Sequence, residues 1–148
     1  MRYFLITLGL IAAAVSQADT IDHFMNISNN IPKMQMKADP QSQAWARSAR
    51  DVLAITTETV AETLLQANEL ATGQGRPLFC LPPGVTLNGL TMNSVIVNTY
   101  NQISSQKSDK DKMTVSQVAW LGVSKTYPCK GKNQHANQMR HVAALLQK

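Results

Sequence analysis

Only two cysteines, Cys80 and Cys129, occur in this sequence, and what they can do depends on the compartment the chain reaches. Its first residues address that. Met1-Arg2 give a short positive start, Tyr3 to Val15 run apolar, and Ser16-Gln17-Ala18 put small residues where a signal peptidase reads, just before Asp19. This is the pattern of a secretory leader. The apolar run falls short of the roughly 20 residues that a membrane-spanning helix needs. No cysteine lies in it or just after it, so a lipid anchor on that site is excluded. The expectation is a leader over residues 1–18 and a mature chain, without a membrane anchor, that is periplasmic or secreted. In such an oxidising compartment the two cysteines read as one disulfide, Cys80–Cys129. A bridge closing a loop of about 50 residues is worth roughly 4 kcal/mol on the chain-entropy estimate. That is comparable to the whole net stability of a marginal domain. Any fold this chain adopts must bring these two positions together.

Residues 19–148 suit a single domain with a core of its own. Of 14 basic and 9 acidic residues, Arg2 falls in the leader, which leaves 13 against 9 and a formal charge of +4. The cluster Lys107 to Lys112 is interleaved with Asp109 and Asp111, the pattern of a solvated loop. Nucleic-acid binding calls for a basic stripe flanked by aromatic residues, and none is present in the sequence.

Hydrophobic periodicity predicts an all-α fold, a small bundle of about four helices. Residues 19–39 mix Ile21, Phe24, Ile27 and Ile31 with adjacent asparagines and Pro32, and read as a poorly ordered arm with at most one helical turn. Asp39-Pro40 can cap and open a helix. Trp45, Ala49, Val52, Leu53, Thr56, Val60, Leu64, Ala67 and Ala71 then recur at helical spacing. Thr56-Thr57 and Thr59 mark where a kink would fall, and Gly73, Gly75 and Pro77 end the element. A rigid Leu81-Pro82-Pro83-Gly84 turn leads to a second helix, with Thr86 as its cap and Leu87 and Leu90 on one apolar face. The polar connection 104–112 follows. A third helix is capped by Thr114 and stopped by Tyr127-Pro128-Cys129. Residues 130–148 read as a helical extension, capped by Asn133, with a seam of Met139, Val142, Ala143 and Leu146.

No catalytic set emerges. Glu58, Glu62 and Glu69 share a polar helix face and read as solvated rather than as facing carboxylates. His135 and His141 fall on different sides of one helix, and His23 is remote from both. His23, Met25, Met34 and Met36 could in principle hold Cu(I) in an oxidising compartment, but methionines in an amphipathic segment more simply fill gaps against a core. There is no Gly-x-Ser-x-Gly, no free cysteine to pair with histidine, and no glycine loop opening a helix. The expectation is a non-enzyme without metal or cofactor.

The segment Phe79-Cys80-Leu81-Pro82-Pro83-Gly84-Val85-Thr86, a helix through Val95-Ile96-Val97 to Tyr100, then Val118-Ala119 and a closing Tyr127-Pro128-Cys129 resembles a family of small periplasmic immunity proteins. Those proteins protect bacteria from peptidoglycan amidases delivered by type VI secretion. The resemblance covers about Trp45 to Cys129. Ala54–Ala61 lacks the further cysteine pair and the aromatic-glycine feature of many relatives. The resemblance implies a clipped helical hairpin, a toxin as protein partner, and a homodimer as relatives often form. Loops on a rigid scaffold commonly carry binding, which nominates Leu81, Pro82, Pro83 and Gly84 together with Lys107, Lys110 and Lys112 as partner contacts. A periplasmic stress or chaperone-like protein that binds several partners is the competing reading.

Overall fold

The computed structural model describes residues 19–103 and 107–129. The expected leader, the expected C-terminal helix with its seam, His135 and His141 lie outside the described residues. Among the described residues every regular element is helical: α1 (Ile21–Gln35), α2 (Pro40–Gly73), α3 (Gly89–Gln102), α4 (Lys107–Asp111) and α5 (Val115–Thr126). None of these helices is long and apolar enough to cross a membrane.

The expected arm is α1, a 15-residue helix. Ile21, Phe24, Met25 and Ile31 recur on one side of it and are buried, and α1 packs along α2. Burial of that stripe outweighs the local breakers. Pro32 sits in the last turns, and Asn30 turns its amide back onto the carbonyl of Asn26. The first residues are also tied down. The Ile21 N–H donates to Met113 O at 2.8 Å, and the Val115 N–H donates to Asp19 O at 3.2 Å. Thr20 and Thr114 thus pair in an isolated antiparallel bridge that locks the start of α1 to the start of α5.

Helix α2 begins as its sequence indicates. Asp39 Oδ1 accepts from the Ser42 N–H at 2.8 Å, and Pro40 takes the first turn. That hydrogen bond holds the Asp39 carboxyl below its ordinary range. The helix runs unbroken through Thr56–Thr59. The buried Thr57 hydroxyl donates to Leu53 O at 2.9 Å, so the polar atom is satisfied without interrupting the ladder. The buried face meets the expected one at Ala49 and Leu53, with Val60 and Leu64 packed against the core, but it departs from it at the N-terminal half of the helix. Ala46, Ala49, Leu53, Thr57 and Ala61 face the core, whereas Trp45 is 41 % and Val52 53 % exposed. Alanines at the contact let a neighbouring helix approach closely. Larger side chains there would hold it away.

Helix α3 is capped by Asn88 rather than Thr86. The Thr91 N–H donates to Asn88 Oδ1 at 3.0 Å, and the Asn88 N–H donates back to Thr91 Oγ1, a reciprocal capping box. Thr86 contributes its carbonyl, which accepts from Thr91 Oγ1. Leu87 is buried just ahead of the helix, but Leu90 is 83 % exposed. Thr114 caps α5 as expected, in a box with Gln117. Helices α3 and α5 pack directly on each other. At Gly122 any Cβ would run into Thr99 Oγ1 and Val95 Cγ1, so this glycine sets how closely the pair approaches.

Candidate functional site

The α3–α5 hairpin carries every position nominated for partner contact, and its two ends are built differently. At one end Cys80 and Cys129 are bridged, with their Cα atoms 4.9 Å apart across a sequence separation of 49. Beside the bridge the Cys80 N–H donates to Tyr127 O at 2.8 Å. Asn68 of α2 fixes the same strand of chain. Its Oδ1 accepts from the Leu78 N–H at 2.7 Å and the Phe79 N–H at 3.0 Å, while the Phe79 ring is buried in the core. From this anchored base the Leu81–Gly84 turn projects. Leu81 is half-buried and Pro82, Pro83 and Gly84 are exposed. Gly84 takes φ +81°, a conformation that glycine enters at no steric cost.

At the far end, the connection expected as a polar loop contains the short helix α4. Tyr100 of α3 donates its phenol proton to Asp111 Oδ1 at 2.5 Å. Lys110 Nζ lies 3.9 Å from the centre of the same ring, within cation–π range. Lys110 is therefore engaged in holding α4 to α3, and the exposed Lys112 is the lysine of this pair left facing solvent. Lys107 opens α4. The 14 residues of α3 separate the two nominated ends by about 21 Å at helical rise. The turn and the lysines are thus two contact points on one rod and do not make a single patch.

The hydrogen bond to Asp111, then burial, then the charges of Asp111 and Asp22 push the Tyr100 phenol up from 10.0 to about 12. Its folded value thus exceeds the unfolded one. The associated stability is complete below about pH 10 and is lost as pH rises towards 12. The phenolate absorbance of the native protein minus that of Tyr100→Phe should therefore titrate near pH 12. A midpoint near 10 would mean that the Asp111 contact is not held in solution.

Other candidates resolve differently. Glu58 is not simply solvated: its carboxylate accepts from the Gly89 N–H, the first of α3. It thereby adds negative charge at a helix N-terminus. A Cβ on Gly89 would meet Glu58 Oε2 and Thr57 Oγ1, so the approach depends on that glycine. Nothing in the local sequence signals this contact, because its partners are 31 residues apart. Glu62 and Glu69 are exposed. An open groove of about 350 Å³ lies above this junction, between the last turns of α1, the middle of α2 and the start of α3. Arg50 and Glu58 are its charged lining residues, with Leu90 at its rim.

The residues weighed for copper do not converge. Met25 is buried in the core, Met34 is half-buried and Met36 is exposed past the end of α1. His23 points outward, with its Nδ1 2.7 Å from Asp19 Oδ1.

No protein-family model, curated protein or solved structure matches this chain.

Proposed function

We propose that this chain is an exported binding protein that neutralises a cell-wall-degrading toxin, of the peptidoglycan amidase kind, by covering part of its surface. The observation that carries this reading is the hairpin. Its Cys-Leu-Pro turn and its aromatic-Pro-Cys stop are joined by the bridge, and exposed side chains stand at both ends of a braced pair of helices. Inhibition by occlusion needs complementary shape and no reacting groups. Bracing both ends lowers the ordering cost of binding. A disulfide also suits an extracytoplasmic location.

Co-expression with envelope-directed amidase toxins tests the proposal, with survival and pull-down as readouts. One toxin should be neutralised and captured in a stoichiometric complex. Within that complex, Lys112→Glu should slow association several-fold at low salt and leave the melting temperature nearly unchanged. Reversal of Lys110 would confuse the test, because it also removes the Tyr100 contact and sets a second negative charge beside Asp111. An unaltered association rate would move the interface away from the α4 end.

Exposed Met36 and Leu90 favour a second reading, a chaperone-like protein with several clients. It predicts suppressed aggregation of unrelated proteins and no selective toxin. Burial of Met25 removes part of the methionine-rich surface that such a protein would use.

A further inference from the structure

The groove of about 350 Å³ between α1, α2 and α3 is of the size that small-molecule clefts have, and its two charges are spent differently. Glu58 accepts from the Gly89 N–H, so its negative charge lies against the positive end of α3. Arg50 is exposed in the lining and makes no ion pair among the described residues. The groove thus presents one cation whose charge the described residues leave unmatched.

Eight positions separate Arg50 from Glu58, about 12 Å at helical rise. The wall between these ends is apolar. Ile31 and Leu53 are buried, and Pro32, Ala54 and Leu90 stand exposed beside them. The polar groups along the wall are engaged within the protein. The Thr57 hydroxyl donates to Leu53 O at 2.9 Å, and the Gly89 N–H is held by Glu58. The neutral Ser28 and Asn93 complete the polar lining. A peptide laid here would bring a donor and an acceptor with almost every residue, and stripping water from them without supplying partners is costly. A hydrocarbon chain brings neither.

We propose that the groove binds a medium-chain acyl carboxylate, with the carboxylate paired to Arg50 and the chain lying over Leu53 and Ala54 towards Leu90. Glu58 fixes that direction, because its own carboxylate repels the head from the far end. The pair with Arg50 is a charge-assisted contact, the strong kind, and the wall contributes through the apolar area it removes from water. An extended chain advances about 3.5 Å over three bonds, so about ten bonds cover the length from Arg50 to Glu58. Decanoate is the matching probe. The site does not depend on the toxin reading.

Calorimetric titration of decanoate into the intact, disulfide-bonded protein tests this, at neutral pH and below the micelle concentration. Binding should saturate at one to one, and amide shift changes in magnetic resonance spectra should gather at residues 28–32, 50–58 and 89–93. Arg50→Gln should weaken decanoate at least about tenfold and leave decan-1-ol, the same chain without the charge, unchanged. Leu90→Gln should weaken both probes several-fold. Both positions are exposed, so the melting temperature of each variant should stay near that of the parent. Absence of saturable decanoate binding by the parent, shift changes centred elsewhere, or equal losses of both probes with Arg50→Gln overturns the proposal. So does tighter binding of acetyl-leucyl-leucine than of decanoate, which would put a peptide end in the groove instead.

Discussion

A Cys80→Ser, Cys129→Ser double variant is expected to melt roughly 10–20 °C below the parent, the shift that about 4 kcal/mol produces in a chain of this size. The bridge spans 49 positions, so removing it frees a long loop in the unfolded state. It also unclips the native hairpin. Position 80 is also held by its backbone bond to Tyr127 and by the neighbouring Asn68 clamp, which do not depend on the sulfurs. Far-ultraviolet circular dichroism at low temperature should therefore remain helical, and the loss should appear as a lower midpoint. Thermal melts of both proteins decide this. Two reactive thiols in the untreated parent would remove the basis of the expectation.

Phe24→Ala should cost about 3–5 kcal/mol, the range for emptying a buried aromatic site. Phe24 is 1 % exposed, and it lies one turn from the point where α1 is tied to Met113. If residues 19–39 were a loosely attached arm, the same substitution would change stability by less than about 0.5 kcal/mol. Denaturant titration separates the two cases, and an unchanged slope would show that stability rather than compactness has changed.

How much of this was legible in the sequence depended on whether the deciding interaction was local. Asp39-Pro40, Thr114 with Gln117, and Gly75 before Pro77 act within a turn of their own position, and each ends or starts a helix where the pattern puts it. The disulfide pairing needed only a count of two. Helix α1 was hidden because Asn29, Asn30 and Pro32 are local breakers. The stabilising term that overrides them, burial of Phe24 and Ile31 against α2, is tertiary. The part of the buried face of α2 that the pattern missed was hidden for a related reason. Ala46 and Ala61 carry little hydrophobic signal and Thr57 is polar, yet all three are buried, and the small size of the alanines favours that face. At the candidate site the turn and the lysines could be named from sequence, but not the engagement of Lys110 by Tyr100 nor the distance between the two ends. Glu58 gave no sign of its role because Gly89 reaches it only through the fold.

In the proposed function the clipped hairpin holds one toxin through surface contact. Titrating the purified, oxidised protein into a toxin amidase digesting peptidoglycan measures this most directly. The expected result is inhibition that saturates at a fixed stoichiometry and is slower to develop with Lys112→Glu. Undiminished hydrolysis across candidate amidases, together with suppressed aggregation of several unrelated proteins, would contradict the claim.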